Sequence, residues 1–404
     1  VASTLEGIRI FDMSRVLAGP SCTQLLGDLG ADIIKVERPG EGDDTRKWGP
    51  PFLKDGDGRD TKESAYYLSA NRAKRSITLD FTKPEGRALA LRLIAHCDVL
   101  VENYKVGTLA KYGLGYDAIH AAFPRLVYCS VTGFGQTGPY APRPGYDFLA
   151  QAMGGIMSLQ GEPEGEPMKG AVAFADLMAG MYSAVAILAA LRHRDRTGAG
   201  QHIDMALLDT QVAWLGNQAQ TFLTSGTAPP RLGNAHSSVV PYQVFASADG
   251  HIVLAVGNDG QFRKFCAVAG AEHLPADPRF TTNAARVVNR AALVPQVAAL
   301  VARHPSLYWI ETLEREGVPC SPINRLDQVF ADPQVVAREM VVRMDHPQAP
   351  EPIALLANPI KYSETPVEYR LPPPIMGQHT AAILREVLNL SEAEIASLQA
   401  RGIV

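Results

Sequence analysis

Short runs of β-branched and aliphatic residues alternate with stretches of helical spacing through the first hundred or so positions, the pattern of a parallel sheet covered by helices. Gly7–Asp12 reads as a strand, Gly19–Leu29 as a helix and Ala31–Glu37 as a second strand, one βαβ unit. Arg75–Asp80 reads as a strand leading into a helix at Thr82-Lys-Pro-Glu, where the threonine is placed to cap and the proline to sit in the first turn. Asp98–Glu102 and Leu126–Val131 add two more strands. His202 to Asp209 reads as the opening of a further helix, and the Pro/Gly-rich stretch 224–234 as a loop or linker. Residues from about 236 to 325 again alternate strands, such as Gly250–Val256, with helical segments. The proline-rich stretch from Arg370 reads as a surface crossing before a last helix from Ala381.

One polar residue breaks the longest apolar run. Asp176 sits inside Ala171–Leu191, which reads as a buried helix. An unpaired buried carboxylate costs several kcal/mol, so this one must cap a helix, pair with a cation or serve chemistry. The local reading is an N-cap, with the side chain accepting from the first free N–H groups of the helix. The run ends in Arg192-His-Arg-Asp-Arg196 and carries Asp176, which argues against a membrane span.

The 404 residues call for two domains or one large domain with an insertion. A hydrophobic share of 46% with 20% charged residues is that of an ordinary soluble enzyme, and a net charge of −4 gives no footprint for nucleic acid or an anionic membrane. Cys22, Cys97, Cys129, Cys266 and Cys320 are widely spaced, which fits reduced thiols in a cytoplasmic compartment and neither a zinc site nor a disulfide framework. The expected location is the cytoplasm, or the mitochondrial matrix if a targeting segment preceded Val1.

Gly133–Gly138 matches the dinucleotide pattern G-x-G-x-x-G, but Pro139-Tyr-Ala-Pro-Arg-Pro-Gly145 follows and cannot open a helix to hold a pyrophosphate. The first turn reads Ser14-Arg-Val-Leu-Ala-Gly-Pro20 instead of a glycine fingerprint, so an NAD enzyme is disfavoured. Arg15, Arg38, Lys74 and Arg75 fall near strand ends and could converge on one polyphosphate; a solvated surface is the other reading. His236 lies in a Gly/Ser-rich loop that reads either as a lid or as a plain linker.

Together these segments resemble the class III (CaiB/BaiF) CoA-transferase family. The carrying blocks include Arg15–Pro20, Gly27–Gly40, Asn71–Ser76, Val101–Tyr104, Gly133–Pro139, Pro144–Asp147, the Asp176 helix, Thr197–Gln201 and Gly317–Asn324. Arg38–Pro51 and His236–Gln243 look most like the branch that exchanges CoA among dicarboxylates such as succinate, glutarate and hydroxymethylglutarate. The resemblance implies an α/β fold with a large Rossmann-like CoA-binding domain from residues 1–224, a small α/β domain from 225–328, and a return to the large domain over 329–404. It also implies two subunits interlocked as a homodimer.

By that resemblance Asp176 is the nucleophile, reacting through an aspartyl anhydride and an aspartyl-CoA thioester, with coenzyme A as co-substrate and no permanently bound cofactor or metal. A nucleophile and a helix cap are compatible roles. CoA contacts are carried over to Val16, Ala18, Arg38, Lys74, Arg75, Asn103, Tyr104 and Lys111. Thr132 and Leu17 depart from the formyl-CoA branch, which has lysine and glutamine there. The distal carboxylate of a small dicarboxylate needs a cation or several donors, for which Arg46, His236 and Ser237 are the candidates. A 2-methylacyl-CoA racemase of the same fold would carry histidine where Gly145-Tyr146-Asp147 has tyrosine, a poor base with its ordinary pKa of about 10. A non-catalytic CoA-binding protein need not keep an acid in an apolar run.

Overall fold

The computed structural model describes residues 3–404. Six strands form one parallel sheet: β1 (Arg9–Asp12), β2 (Asp32–Glu37), β3 (Lys74–Thr78), β4 (Val99–Glu102), β5 (Val127–Thr132) and β6 (His202–Ala206). Their spatial order is β3-β2-β1-β4-β5-β6, which reverses direction between β1 and β4. That is the doubly wound order in which ligands bind beyond the carboxyl ends of the strands, at the reversal.

Strand residues alternate between two cores, as a pleat of period two requires. Ile10, Val99, Val101, Val127 and Cys129 face one layer, where helices α1 (Ala18–Asp28) and α4 (Phe174–Thr197) pack. Phe11, Leu100 and Tyr128 face the other, covered by α2 (Pro84–Ile94) and α5 (Thr380–Leu388). α3 (Asp147–Met153) lies ahead of α4 in the chain. Both ends of the described chain therefore build this unit, which takes in the described residues up to 156, residues 170–220 and residues 336–404.

The second unit comprises residues 157–169 and 221–335. It holds an antiparallel sheet of β7 (Tyr242–Ala246), β8 (His251–Ala255) and β9 (Cys320–Pro322), with β8 in the middle. Its core is aromatic, with Phe262, Phe265, Phe280 and Trp309 buried. Segment 157–169 joins it because Arg231 donates to the carbonyls of Glu162 and Gly165, and Gly233 N–H to Gly161 O.

Three local expectations change. His202–Ala206 is the sixth strand, and the helix begins only at Leu207, because strand pairing with Tyr128–Thr132 outweighs a mixed local pattern. Thr82 does not cap α2; its hydroxyl bonds Asp80, and Lys83 stands at the N-cap with Pro84 behind it. The apolar helix is not buried all round. An eighteen-residue stretch of α4 has mean hydropathy 1.8 but is only half buried within the chain, leaving Met181, Tyr182 and Val185 exposed.

α4 buries its small-residue face, including Ala179, Gly180 and Ser183. A Cβ at Gly180 would lie 2.7 Å from the Ala18 carbonyl oxygen and 3.2 Å from Ser21 Cβ, so glycine permits the close crossing of α1 and α4. Gly180→Ala gains about 1 kcal/mol in helix propensity but presses on backbone, and overpacking costs about 1–3 kcal/mol. We expect a net loss of stability by chemical denaturation; a stabilised variant would show that the crossing has slack.

Candidate active site

The cleft is built by the turns that follow β1, β2, β4 and β5. After β1, Asn103 clamps the Arg15 peptide, its Oδ1 accepting the Arg15 N–H at 2.9 Å and its Nδ2 donating to Arg15 O at 2.6 Å. Val16 then takes φ +70°, a left-handed conformation that a β-branched residue adopts only under constraint. Asp43 supplies part of that constraint, accepting the Val16 N–H at 3.2 Å and both the N–H and hydroxyl of Thr45 on the same oxygen.

The other Asp43 oxygen takes Lys35 Nζ at 2.8 Å, and Lys35 also donates to Ser14 O. Beside this pair, fully buried Lys74 donates to Pro20 O and Asn71 Oδ1 and lies 3.3 Å from Asp12. Burial pushes the Asp43 carboxyl up, but the Lys35 charge and the hydrogen bonds outweigh it and hold it at about 2. Burial wins at Lys74, lowering its ammonium to about 8 despite Asp12. The loop ahead of α1 is thus pinned from beneath by two lysines.

Above this layer lie two adjoining hollows of about 260 and 230 Å³ that share Arg15, Asp44 and Tyr104. One carries Arg38, Phe81, Tyr112 and Thr108. The other runs past Val16–Ala18, Asn103 and Tyr104 to Asp176, with Thr132, Gly133 and Pro144–Tyr146 on its wall and Lys105 and Arg143 on its rim. Arg15 lies over the Tyr104 ring at 4.9 Å, and Phe81 packs edge-on to it.

Asp176 stands in the first turn of α4, three residues inside the N-cap Ala173, and is not the cap. Its carboxylate accepts none of the first N–H groups of the helix. Phe174 donates to Val172 O and Leu177 to Ala173 O, while Ala175 and Asp176 donate to Asp147 Oδ1 at 2.8 and 3.2 Å. The capping is done by a residue 29 positions earlier in the chain. Asp147 is brought there by a backbone crossing in which a Cβ on Gly145 would fall 2.2 Å from Gly133 Cα, so both positions require glycine. This is the structural use of the glycine motif that imitates a nucleotide fingerprint.

Burial pushes the Asp176 carboxyl up to about 7, and the nearby Asp147 charge adds to the shift. Tyr66, stacked edge-on against Trp48 at 5.1 Å, is pushed up to about 12 by burial and by the charges of Asp176, Asp147 and Asp43.

The structure gathers Val16, Ala18, Asn103, Tyr104 and Asp176 in one hollow and Arg38 in the next. Lys74 is inaccessible under the loop, and Arg75 is committed to Asp32 and Glu386. These two therefore do not converge with Arg15 and Arg38 on one ligand. Lys111 is exposed and lines neither hollow, although its neighbour Tyr112 does.

Arg46 is 5% exposed and bound to Glu37, Glu63, the Tyr67 hydroxyl and Pro374 O, which engages its donors within the fold. Its distance in sequence from Glu63 and Pro374 hid that. His236 and Ser237 lie in the second unit, their carbonyls accepting from Arg290 and the His236 ring 5.2 Å from Tyr242. Asp147, Asp43 and Tyr66 were not singled out from the sequence. The acid closing Pro144-Gly-Tyr-Asp147 was the available signal for the first.

A doubly wound sheet whose C-terminal cleft ends on a desolvated carboxylate has the layout of an α/β enzyme. The chain belongs to CoA-transferase family III, whose profile it matches over residues 5–380. It is 49% identical over 383 residues to the succinate–glutarate CoA-transferase of Agrobacterium fabrum, covering 95% of each chain. It is 43% identical over 400 residues to the succinyl-CoA:glutarate CoA-transferase of Homo sapiens, covering 99% of this chain and 90% of the other. The crystal structure of a CaiB/BaiF family protein from Brucella suis superposes with a TM-score of 0.85 at 48% identity over 96% of this chain and 100% of that one. A Mycobacterium tuberculosis protein does so with a TM-score of 0.82 at 30% identity, over 94% and 98%.

The raised Asp176 carboxyl has a consequence for stability. Between its free value of 3.8 and about 7, the folded state holds a proton that the unfolded state has released, so stability falls as pH rises through that window. Allowing for partial solvent access, the penalty above pH 7 is on the order of 2 kcal/mol. Asp176→Asn is expected to be more stable than the parent at pH 8 and nearly equal at pH 4, by urea denaturation. An equal gain at both pH values would rule out the shift.

Proposed function

We propose that this protein transfers CoA from succinyl-CoA to glutarate or a closely related dicarboxylate, with Asp176 as the nucleophile. The observation that carries the reading is the Asp176 carboxylate at the end of the cleft, largely desolvated and with the N–H groups of its own helix already taken. Relatives named for succinate and glutarate at 43% and 49% identity support the choice of donor and acceptor.

In the proposed sequence an Asp176 oxygen bonds to the thioester carbonyl carbon, the carbon–sulfur bond breaks, and CoA leaves as a thiolate. The thiolate then attacks the aspartyl carbonyl of the mixed anhydride, releasing succinate and leaving an aspartyl-CoA thioester. Glutarate reverses the two steps. Every intermediate keeps the activation of the first thioester, so the reaction needs no permanently bound cofactor; it needs water kept out. Arg38 and Arg15 along the groove suit the phosphates of CoA, and the Tyr104 ring suits the thinner pantetheine arm. Only the ionised carboxylate attacks, so a carboxyl held near 7 makes the rate climb with pH through neutrality.

The exposed stripe of α4, with Met181, Tyr182 and Val185, is too apolar to stay in water and supports a homodimer, interlocked as in the family. Arg46 is expected to act on the fold and not on acceptor choice: removing one partner of such a buried ion pair costs about 3–5 kcal/mol. Arg46→Met should therefore lower the denaturation midpoint while leaving the ratio of glutarate to monocarboxylate kcat/KM unchanged in the folded fraction; a changed ratio would restore Arg46 as a substrate contact.

The test of the reaction is intact-protein mass spectrometry after mixing with succinyl-CoA, beside Asp176→Ala, and CoA exchange with glutarate. The parent should gain a CoA-sized adduct that the variant lacks, with exchange falling roughly 10³-fold or more. Exchange persisting in Asp176→Ala would sink the mechanism.

A further inference from the structure

The proposed nucleophile is held by a group that its own helix does not supply. We propose that Asp147 is a positioning residue for the transfer reaction, fixing Asp176 through its backbone so that the Asp176 side chain is free to be acylated and released without disturbing the helix end. The inference rests on Asp176 being the nucleophile.

Asp147 Oδ1 takes the N–H groups of Ala175 and Asp176, while Oδ2 accepts Gln151 Nε2 at 2.7 Å. Gln151 is fully buried and turns its amide on the same segment, donating to Val172 O and accepting the Gly170 N–H at 2.9 Å. Asp147 and Gln151 thus hold the approach to α4 at three levels, residues 170, 172 and 175–176. Among the described residues nothing donates a hydrogen bond to the Asp176 carboxylate.

The division of labour suits covalent catalysis. When Asp176 forms an anhydride or a thioester its carboxylate loses its charge and much of its strength as an acceptor. A helix capped by Asp176 would lose its cap at each such step. With the cap on Asp147 the helix end is the same in every covalent state, and the carbonyl carbon of Asp176 stays where the thiolate must find it.

Asp147 also places a second negative charge beside the nucleophile, which favours the protonated form of Asp176 and raises the basicity of the ionised form. Tyr66 feels the Asp176 charge, and Arg15, Asp44, Tyr104, Lys105, Arg143 and Tyr146 are the other charged or titratable residues lining the same hollow. Tyr66 is un-ionised across the working range, so Asp147 is the neighbour whose charge bears most directly on the Asp176 proton.

The experiment compares Asp147→Ala, which loses both acceptor and charge, with Asp147→Asn, which keeps an acceptor oxygen and loses the charge. Steady-state CoA exchange from succinyl-CoA to glutarate is measured from pH 5 to 9, with Asp176→Ala as reference and adducts weighed in every variant. We expect kcat to fall about 10- to 100-fold in Asp147→Ala, with KM for succinyl-CoA within about threefold. Asp147→Asn should recover most of that loss, and its acid limb should move to lower pH because the repelling charge is gone.

A kcat within threefold of the parent in Asp147→Ala overturns the proposal, as does a loss that falls on KM alone. If Asp147→Ala does not fold, the soluble near-isostere decides, and an unmoved acid limb in Asp147→Asn overturns it. Failure of the underlying reading looks different: exchange persists in Asp176→Ala and no adduct forms in the parent. An adduct that forms normally in the parent and in both Asp147 variants, at undiminished rate, refutes the positioning role alone.

Discussion

Two lysine ammonium groups with no exposed surface, Lys35 and Lys74, lie between Asp12 and Asp43 under the carboxyl ends of the sheet, and the cleft stands on them. Desolvating such a charge costs several kcal/mol, which only close opposite charges and well-placed carbonyls can offset. Those demands fix the backbone above. Ser14 O and Pro20 O must point inward to meet the lysines, and Asp43 must reach both Lys35 and the Val16 N–H. The loop between β1 and α1 therefore has one arrangement, and the strained Val16 is stable within it. An apolar layer could fill the same volume without dictating which peptide groups face the cleft.

Two carboxylates within this unit show opposite outcomes of desolvation, one beneath the cleft and one on its wall. Asp43 meets a lysine and is held ionised at about 2; Asp176 meets no cation, so desolvation, with the Asp147 charge added, pushes it up to about 7. Environment thus assigns one to holding structure and leaves the other at an energy from which it can react. The arrangement also explains why the unit spends a glycine pair, Gly133 and Gly145, on a backbone crossing. Without that approach Asp147 would not reach the start of α4, and the buried acid would have to satisfy the helix end itself.

The sheet was legible because strands of a buried parallel sheet are short apolar runs, and five of the six were read within a few residues. β6 was not, since an edge strand that runs directly into a helix at Leu207 carries a mixed pattern. Asp176 was conspicuous for its setting, yet the cap assigned to it belongs to Asp147, which is distant in sequence and near only after folding. The cations posed the same difficulty. Arg38 faces a hollow while Lys74, Arg75 and Arg46 are consumed by Asp12, Asp32 and Glu37, partners that local sequence does not reveal. The family resemblance, and no pattern of charge, drew Val16, Ala18, Asn103 and Tyr104 together, and the structure does gather them around one hollow.

The half-bare helix α4 also bears on how the molecule is made. It emerges from the ribosome well before the last helices that complete the sheet's other face, with the length and hydropathy of a membrane anchor and an acid near one end. Until it packs on α1 and the sheet, the newborn chain holds an apolar stretch of that length in water, the kind of surface that makes a folding intermediate prone to aggregate.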